Sequence, residues 1–329
     1  MRQPNFQVKN QLLKALSHEI YTSGEQLGQC LGISRMAISK HMKMLQSWGV
    51  EIESMTKKGY RLINPLSLLD LDRIESFAQE RASRIQVFPT IDSTNTFAMN
   101  AVQKGEMTSG DCVLSEAQTA GKGRRGRQWQ SPFAQNIYLS YVHQVSDGVE
   151  ATMGLSLVVA IAVHRAIRSV TGLNAQLKWP NDILYQQKKL AGILVELFGP
   201  PEGPCTVIIG VGVNVNMSLT SMKLDQPWTS LNVHSANELV DRTDFVQVLV
   251  TELDEILQSF AQTGLSAFMD EWHAADAFLN QTVRLISGPQ SHQGISRGIN
   301  EQGALLVEHP EDDGIKVYFG GEVSLRGDN

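Results

Sequence analysis

The chain has 329 residues, 42% of them hydrophobic and 19% charged, with a formal net charge of -6. This is the profile of an ordinary globular protein long for one core, so two or three domains are expected and disorder is not indicated. No uninterrupted apolar run reaches a membrane span, because His164, Arg165 and Arg168 break the longest one; residues 1–10 are too polar for a secretory signal. Cys30, Cys112 and Cys205 lie far apart without CxxC or metal-ligand spacing, which argues against a disulfide framework and for a cytoplasmic protein.

Charge is divided along the chain. Residues 1–64 hold nine Lys or Arg against four Asp or Glu, and the remainder holds 19 against 30. A small basic segment fused to a larger acidic one points to nucleic acid as partner of the first. Within it, Val8, Leu12, Leu13 and Leu16 recur at helical spacing, a short helix is expected over 24–31 behind Ser23, and Gly32 ends it. Ser34 then caps a helix from Arg35 to about Trp48, with Ile38, Met42 and Leu45 on its apolar face. Helix, glycine-bearing turn and polar second helix are the marks of a helix-turn-helix. The loosely alternating stretch 50–63, with Lys57-Lys58-Gly59-Tyr60-Arg61 at its tip, reads as the wing. Ser34, Arg35, Ser39, Lys40, Lys57 and Lys58 are the candidate DNA contacts; a helical protein-binding module is the alternative.

Asn64-Pro65 marks a linker and 68–82 an amphipathic helix. A strand over 84–88 precedes Thr90-Ile91-Asp92-Ser93-Thr94-Asn95, a polar knot opening a helix that runs to about Lys104. These residues either cap the helix or offer a ligand side chains together with free backbone N–H groups. Strands over 111–116 and 135–144 flank Gly121-Lys122-Gly123-Arg124-Arg125-Gly126-Arg127, which is followed by Gln128 and Trp129. The run satisfies G-x-G-x-x-G by letter, but Pro132 follows with no helical period between, so a dinucleotide fold is not indicated. A cationic loop closing over an anionic ligand fits, as does a solvated basic turn.

A long buried helix is expected over 153–170. Lys178-Trp179-Pro180-Asn181-Asp182 forms a turn at a strand end, and Lys188-Lys189 opens a strand through Glu196. In the stretch 207–215, Gly210, Gly212, Asn214 and Asn216 alternate with Val211, Val213 and Val215. The bare face would let a flat ligand lie on the backbone with the asparagines free to bond it, or mark a close sheet-to-helix contact. A polar loop over 217–230 is read as mobile. Helices over 244–260 and 265–278 follow, and short alternating strands from Gln281 fit a small β-barrel of about five strands.

Five separated segments together resemble the bifunctional biotin-protein ligases that also act as biotin-operon repressors. They are Ser93-Thr94-Asn95; the 121–127 loop with Trp129 and Ser131-Pro132-Phe133; Lys178 to Asp182; Lys189 to Glu196; and Gly320 to Arg326. The resemblance implies an α+β protein: a winged helix-turn-helix (1–66), a central mixed sheet with helices like a class II aminoacyl-tRNA synthetase core (67–276), and a small SH3-like barrel (277–329). It also implies formation of biotinyl-5'-AMP from biotin and ATP with Mg2+, transfer of biotin to a lysine of the biotin carboxyl carrier protein of acetyl-CoA carboxylase, and binding of operator DNA as a ligand-induced homodimer, with no membrane partner. By the same resemblance Lys189, Arg124, Asp182 and Lys178 are the catalytic candidates, with Asp182 also the possible magnesium contact. Ser93, Thr94, Asn95, Gln118, Gly121, Lys122, Gly123, Arg124, Arg127, Trp129, Lys189, Gly192 and Asn214 would bind biotin or nucleotide. The family's loop has arginine where this chain has Lys122, which keeps the charge and loses the planar fork.

Overall fold

The computed structural model describes residues 4–146, 148–200, 202–219, 226–235, 238–287, 290–309, 314–320 and 324–327. Its N-terminal part contains α1 (Pro4–Ala15), α2 (Gly24–Leu31) and α3 (Arg35–Ser47). Ser23 and Gln26 form a reciprocal capping box on α2, and Gly32 closes that helix in the left-handed conformation. Ser34 accepts from Ala37 N to start α3. Ile38, Met42 and Leu45 lie on one stripe of α3 and meet Leu12, Leu13, Leu16 and Leu27 in a small core. The hairpin of β1 (Ile52–Met55) and β2 (Gly59–Leu62) is antiparallel, with Lys57 and Lys58 exposed at its tip. Winged helix-turn-helix architecture is therefore present as expected.

The middle of the chain adds α4 (Leu71–Glu80), β3 (Ile85–Phe88), α5 (Thr94–Gln103), β4 (Cys112–Ser115), β5 (Ile137–Val145), α6 (Leu155–Thr171), β6 (Gln176–Lys178), β7 (Asp182–Tyr185), β8 (Lys188–Phe198), β9 (Cys205–Val213), α7 (Arg242–Thr263) and α8 (Met269–Ala275). Seven strands form one mixed sheet in the order β3-β4-β5-β9-β8-β7-β6. Only β3 and β4 pair in parallel. Strand alternation sorts the two faces: Leu139, Ile209, Val211, Val213 and Ile193 join the core made with α6 and α7, whereas Val113, Val142 and Ile208 pack against Ala98 and Ala101 of α5. Residues 149–171 are long and apolar enough to cross a bilayer by composition, yet Leu157 through Val163 of α6 are at most 2% exposed inside this core.

Two helix expectations are corrected. The helix expected over 153–170 begins at Leu155, since Gly154 sits at φ 81 ahead of it. The continuous helix expected over 265–278 is a 3-10 turn at Leu265–Phe268 followed by α8. It stops at Ala275 because the Asp276 carboxylate accepts from Phe278 N and Ala277 N donates to the Leu177 carbonyl, so the chain turns toward β6. Of the loop expected over 217–230, residues 220–225 lie outside the described residues.

The C-terminal part consists of β10 (Thr282–Ser287), β11 (Gln290–Ile299), β12 (Leu305–Glu308), β13 (Ile315–Tyr318) and β14 (Ser324–Gly327), all antiparallel, in the order β13-β12-β11-β10-β14. Five strands were expected. Val283, Leu285, Ile299, Leu305 and Val307 extend the central core, and Trp179 Nε1 donates to Gly303 O at 3.0 Å.

One buried ion pair connects the segments around the central sheet. Arg242, the first residue of α7, and Glu116, just beyond β4, are both fully buried with Nη1 2.5 Å from Oε2. Arg242 also donates to the carbonyls of Asn136 (2.9 Å) and Ser67 (2.8 Å), while Glu116 Oε1 accepts from Leu69 N at 2.9 Å. Glu116→Ala would leave a buried guanidinium without its counter-charge, so a loss of about 3–5 kcal/mol of stability is expected in urea unfolding; a loss below about 1 kcal/mol, the value of an exposed pair, would show that the pair is not holding these segments together.

Candidate functional site

The site forms on the α5 side of the sheet, where two strands lack side chains. Register places Gly192 of β8 opposite Gly212 of β9 and Leu194 opposite Gly210; β5 adds Tyr138 beside Gly212 and Ser140 beside Gly210. A Cβ at Gly212 would lie 2.5 Å from Trp129 Cε2, and one at Gly210 would lie 2.5 Å from Asn95 Oδ1. Glycine is required at both positions because the protein's own Trp129 indole and Asn95 amide approach the backbone there. The flat ligand expected directly on this face is to that extent replaced by side chains, and the alternative of a sheet-to-helix contact holds at Gly210.

The basic loop is ordered by its own backbone. Gly123 N donates to Arg127 O (2.7 Å) and Trp129 N to Gly121 O (2.9 Å), and Arg124–Gly126 forms a single 3-10 turn with Arg125 at φ 57. Gln118 Nε2 donates to Ser131 Oγ (3.0 Å), clamping the base, and the N–H groups of Thr119 and Ala120 reach the carbonyls of Ile91 and Asp92. The loop therefore hangs beside the start of α5. Its exit is also seated on the N-terminal part: Phe133 stacks on Trp48 with centroids 5.8 Å apart, and Lys9 lies 5.2 Å over the Trp48 ring.

Between loop, α5 and sheet is a narrow cleft with a cavity volume of about 60 Å³. Ser93, Thr94, Asn95, Gln118, Lys122, Gly123, Arg124, Trp129, Lys189 and Gly192 from the expected set all line it. Ser93 caps α5 and accepts from Thr96 N, so the capping role foreseen for it is real. Lys189 Nζ lies 2.7 Å from Asp182 Oδ1 and 5.4 Å from the Trp129 ring centroid; of the two lysines opening β8 it is the one turned inward, Lys188 being exposed. Arg124 donates to Asn181 Oδ1 at 2.9 Å and to the Gly320 carbonyl. Burial, then the nearby Arg125, pulls the Arg124 guanidinium below its ordinary pKa; an anion beside it would relieve both effects. Among the described residues the buried Trp129 Nε1 has no hydrogen-bond partner, and the indole edge that carries it lies against Gly212 in the wall of the cleft.

Other expected residues fall elsewhere. Asn214 Nδ2 donates to Thr229 O (3.0 Å), and Asn216 exchanges bonds with the Val240 backbone. Both asparagines follow the end of β9 and hold loops, so they are not the free ligand donors inferred from alternation. Arg127 is exposed, and Lys178 pairs across the turn with Asp182 in strand register; neither lines the cleft. Gly121 supports the loop, a Cβ there meeting Trp129 O at 2.5 Å. Asn181, which holds Arg124 and donates to Ile193 O at 2.7 Å, was quoted in a motif without a role. Tyr138 and Ser140 went unassigned. Their signal was two polar side chains at period two inside a buried strand. Among the described residues no group of three or more His, Cys, Asp or Glu could hold a metal.

Comparison with known proteins agrees with this arrangement. Residues 87–214 match the biotin/lipoate A/B protein ligase family, 8–61 an HTH domain and 278–326 the biotin protein ligase C-terminal domain. The chain is 42% identical over 316 residues to the bifunctional ligase/repressor BirA of Escherichia coli, covering 96% of each. It is 31% identical to the biotin--[acetyl-CoA-carboxylase] ligase of Paracoccus denitrificans over 70% of this chain and 98% of that one. Among solved structures it resembles the Aquifex aeolicus biotin protein ligase in complex with biotin and ATP, with a TM-score of 0.63 and 26% identity over 74% of this chain and 99% of the other. Near-complete coverage of the Escherichia coli relative, winged helix included, shows that the chain belongs to the family of bifunctional ligase/repressors.

Proposed function

We propose that the protein joins biotin to ATP as biotinyl-5'-AMP, passes the biotinyl group to a lysine of the biotin carboxyl carrier protein of acetyl-CoA carboxylase, and represses transcription as a biotinyl-AMP-bound dimer. The observation that carries this reading is the convergence of Lys189, Arg124 and Lys122 on one cleft, with the carboxylate of Asp182 2.7 Å from Lys189. Attack of the biotin carboxylate on the α-phosphate brings two anions together, and fixed cations lower that barrier without a covalent enzyme intermediate. The carrier lysine amine then attacks the acyl carbon of the adenylate, forming the amide as the bond to phosphate breaks and releasing AMP and a proton. Lys189 sits where it can bridge carboxylate and phosphate, held by Asp182; Arg124, held by Asn181, faces the phosphate. Thr94 and Gln118 also line the cleft and offer uncharged polar atoms suited to the biotin ring. One carboxylate beside these cations fits a magnesium ion that arrives largely ligated by phosphate; Asp182 would be its protein contact, and it would neutralise charge on the leaving pyrophosphate.

Functional limits at 1–66, 67–276 and 277–329 belong to the same proposal. Arg35, Lys40, Lys57 and Lys58 are exposed and Ser39 half-exposed, and the first turn of α3, capped by Ser34, would enter the major groove. The three cysteines are free, in keeping with action in the cytoplasm.

Lys189→Ala is expected to lower biotin-dependent pyrophosphate exchange by about a hundredfold to a thousandfold while melting like the wild type; near-normal exchange removes Lys189 from the chemistry. Mass spectrometry of a carrier domain incubated with protein, biotin and MgATP separates a working ligase from a ligand sensor that no longer turns over. Replacing Lys57 and Lys58 by alanine should lower the slope of log affinity against log salt for duplex DNA by about two; an unchanged slope takes the wing off the phosphates. Biotin with ATP should shift sedimentation at micromolar protein from monomer toward dimer, and a constant mass would count against a ligand-induced dimer.

A further inference from the structure

Glu196 carries no role in the chemistry above, although it stands on the site face of β8 two residues beyond Leu194. Asn95 Nδ2 donates to its Oε2 at 2.8 Å. Asn95 Oδ1 is 2.5 Å from Ser140 Oγ, and Ser140 Oγ is 2.8 Å from Thr94 Oγ1. Thr94, Asn95 and Ser140 are each at most 4% exposed, so the contacts among these three are shielded from water and each needs its own proton, while Glu196 itself is half-buried.

Counting protons fixes their direction. An ionised carboxylate only accepts, so Asn95 must turn its NH2 toward Glu196 and its carbonyl toward Ser140. The single Ser140 proton then serves Asn95 Oδ1. The contact between Ser140 and Thr94 can be filled only by the Thr94 hydroxyl. Gln118 Oε1, 3.1 Å from Thr94 Oγ1, is the other acceptor in reach of that hydroxyl, but it already accepts from Thr94 N–H at 2.9 Å; toward either acceptor the one Thr94 proton is spent inside the protein. Every proton in the chain runs toward the carboxylate, and Thr94 Oγ1 is left with lone pairs for the cleft it lines.

We propose that Glu196, through Asn95 and Ser140, sets the Thr94 hydroxyl as a hydrogen-bond acceptor and thereby selects a ligand carrying an N–H at that end of the cleft. Glu196 is a positioning residue that never touches the ligand. Its charge polarises a short chain in a low-dielectric pocket, where aligned hydrogen bonds reinforce one another. A site built to accept an N–H rejects an analogue with oxygen at that position far more strongly than a site whose hydroxyl can rotate to donate. This rests on the ligase reading, with the cyclic urea of biotin as the N–H donor.

Glu196→Gln is isosteric and can donate as well as accept, so it frees the chain to reverse. It is expected to raise the KM for biotin in pyrophosphate exchange roughly tenfold without changing the KM for ATP. It should also narrow the preference for biotin over the analogue in which a ring N–H is replaced by oxygen. Ser140→Ala cuts the chain and should produce both effects by itself; adding Glu196→Gln to it should change nothing further. A biotin KM unchanged in Glu196→Gln, or losses that add in the double variant, overturns the relay. Should Glu196→Gln melt early, Ser140→Ala measured against the two ligands decides by itself, an unaltered preference being the negative result. Failure of the ligase reading looks different: the wild type would show no biotin-dependent exchange.

Discussion

The buried pair of Arg242 and Glu116 is the constraint around which the central part is assembled. Two unpaired charges at zero exposure would be prohibitively costly, so wherever Glu116 goes Arg242 must follow. Through their remaining hydrogen bonds they fix the linker at Ser67 and Leu69, the approach to β5 at Asn136 and the start of α7. Glu116 stands two residues before Gln118, where the basic loop leaves the sheet. The loop's near end is thus tied to the interior, while its far end at Phe133 stacks on Trp48 just after α3. Between those anchors the chain needs no core of its own, which is how a glycine-rich, cationic segment can hang over a cleft in a stable protein.

The cleft gathers positive charge in an acidic protein by contrasting means. Lys189 is held by Asp182, Arg124 by the neutral Asn181 and a backbone carbonyl, so only one counter-charge is spent. An arriving anion meets cations already positioned and incompletely neutralised, which favours its binding over bulk water. The uncharged end is organised differently. There the half-buried Glu196 does not line the cleft, and its charge is passed to Thr94 through the buried Asn95 and Ser140.

Several features were legible in the chain because they are local. Ser23 with Gln26, Gly32 and Ser34 punctuate the helices of the N-terminal part through bonds spanning three to five residues, and period-two alternation marks β9. Helix ends were less legible where a distant partner decides them, as at Asp276, whose neighbour Ala277 bonds to Leu177. Asn214 and Asn216 misled for a related reason: past the end of β9 alternation no longer reports a face, and both side chains turn to loop backbone.

The sequence by itself determined the type of protein: a basic winged helix ahead of an acidic sheet domain, and a set of motifs whose residue types suit the activation of a carboxylate. The first depends on local periodicity, capping and composition, which need no knowledge of the rest of the chain; the second rests on the resemblance of those motifs to a ligase family. The tertiary structure alone decided which cation of Lys188 and Lys189 enters the cleft, why Gly210 and Gly212 must be bare, and which polar residues hold others in place. Glu116 and Arg242 are 126 positions apart, and Asn95 and Glu196 are 101 apart. Contacts of that range exist only once the sheet has formed, and no pattern along the chain records them.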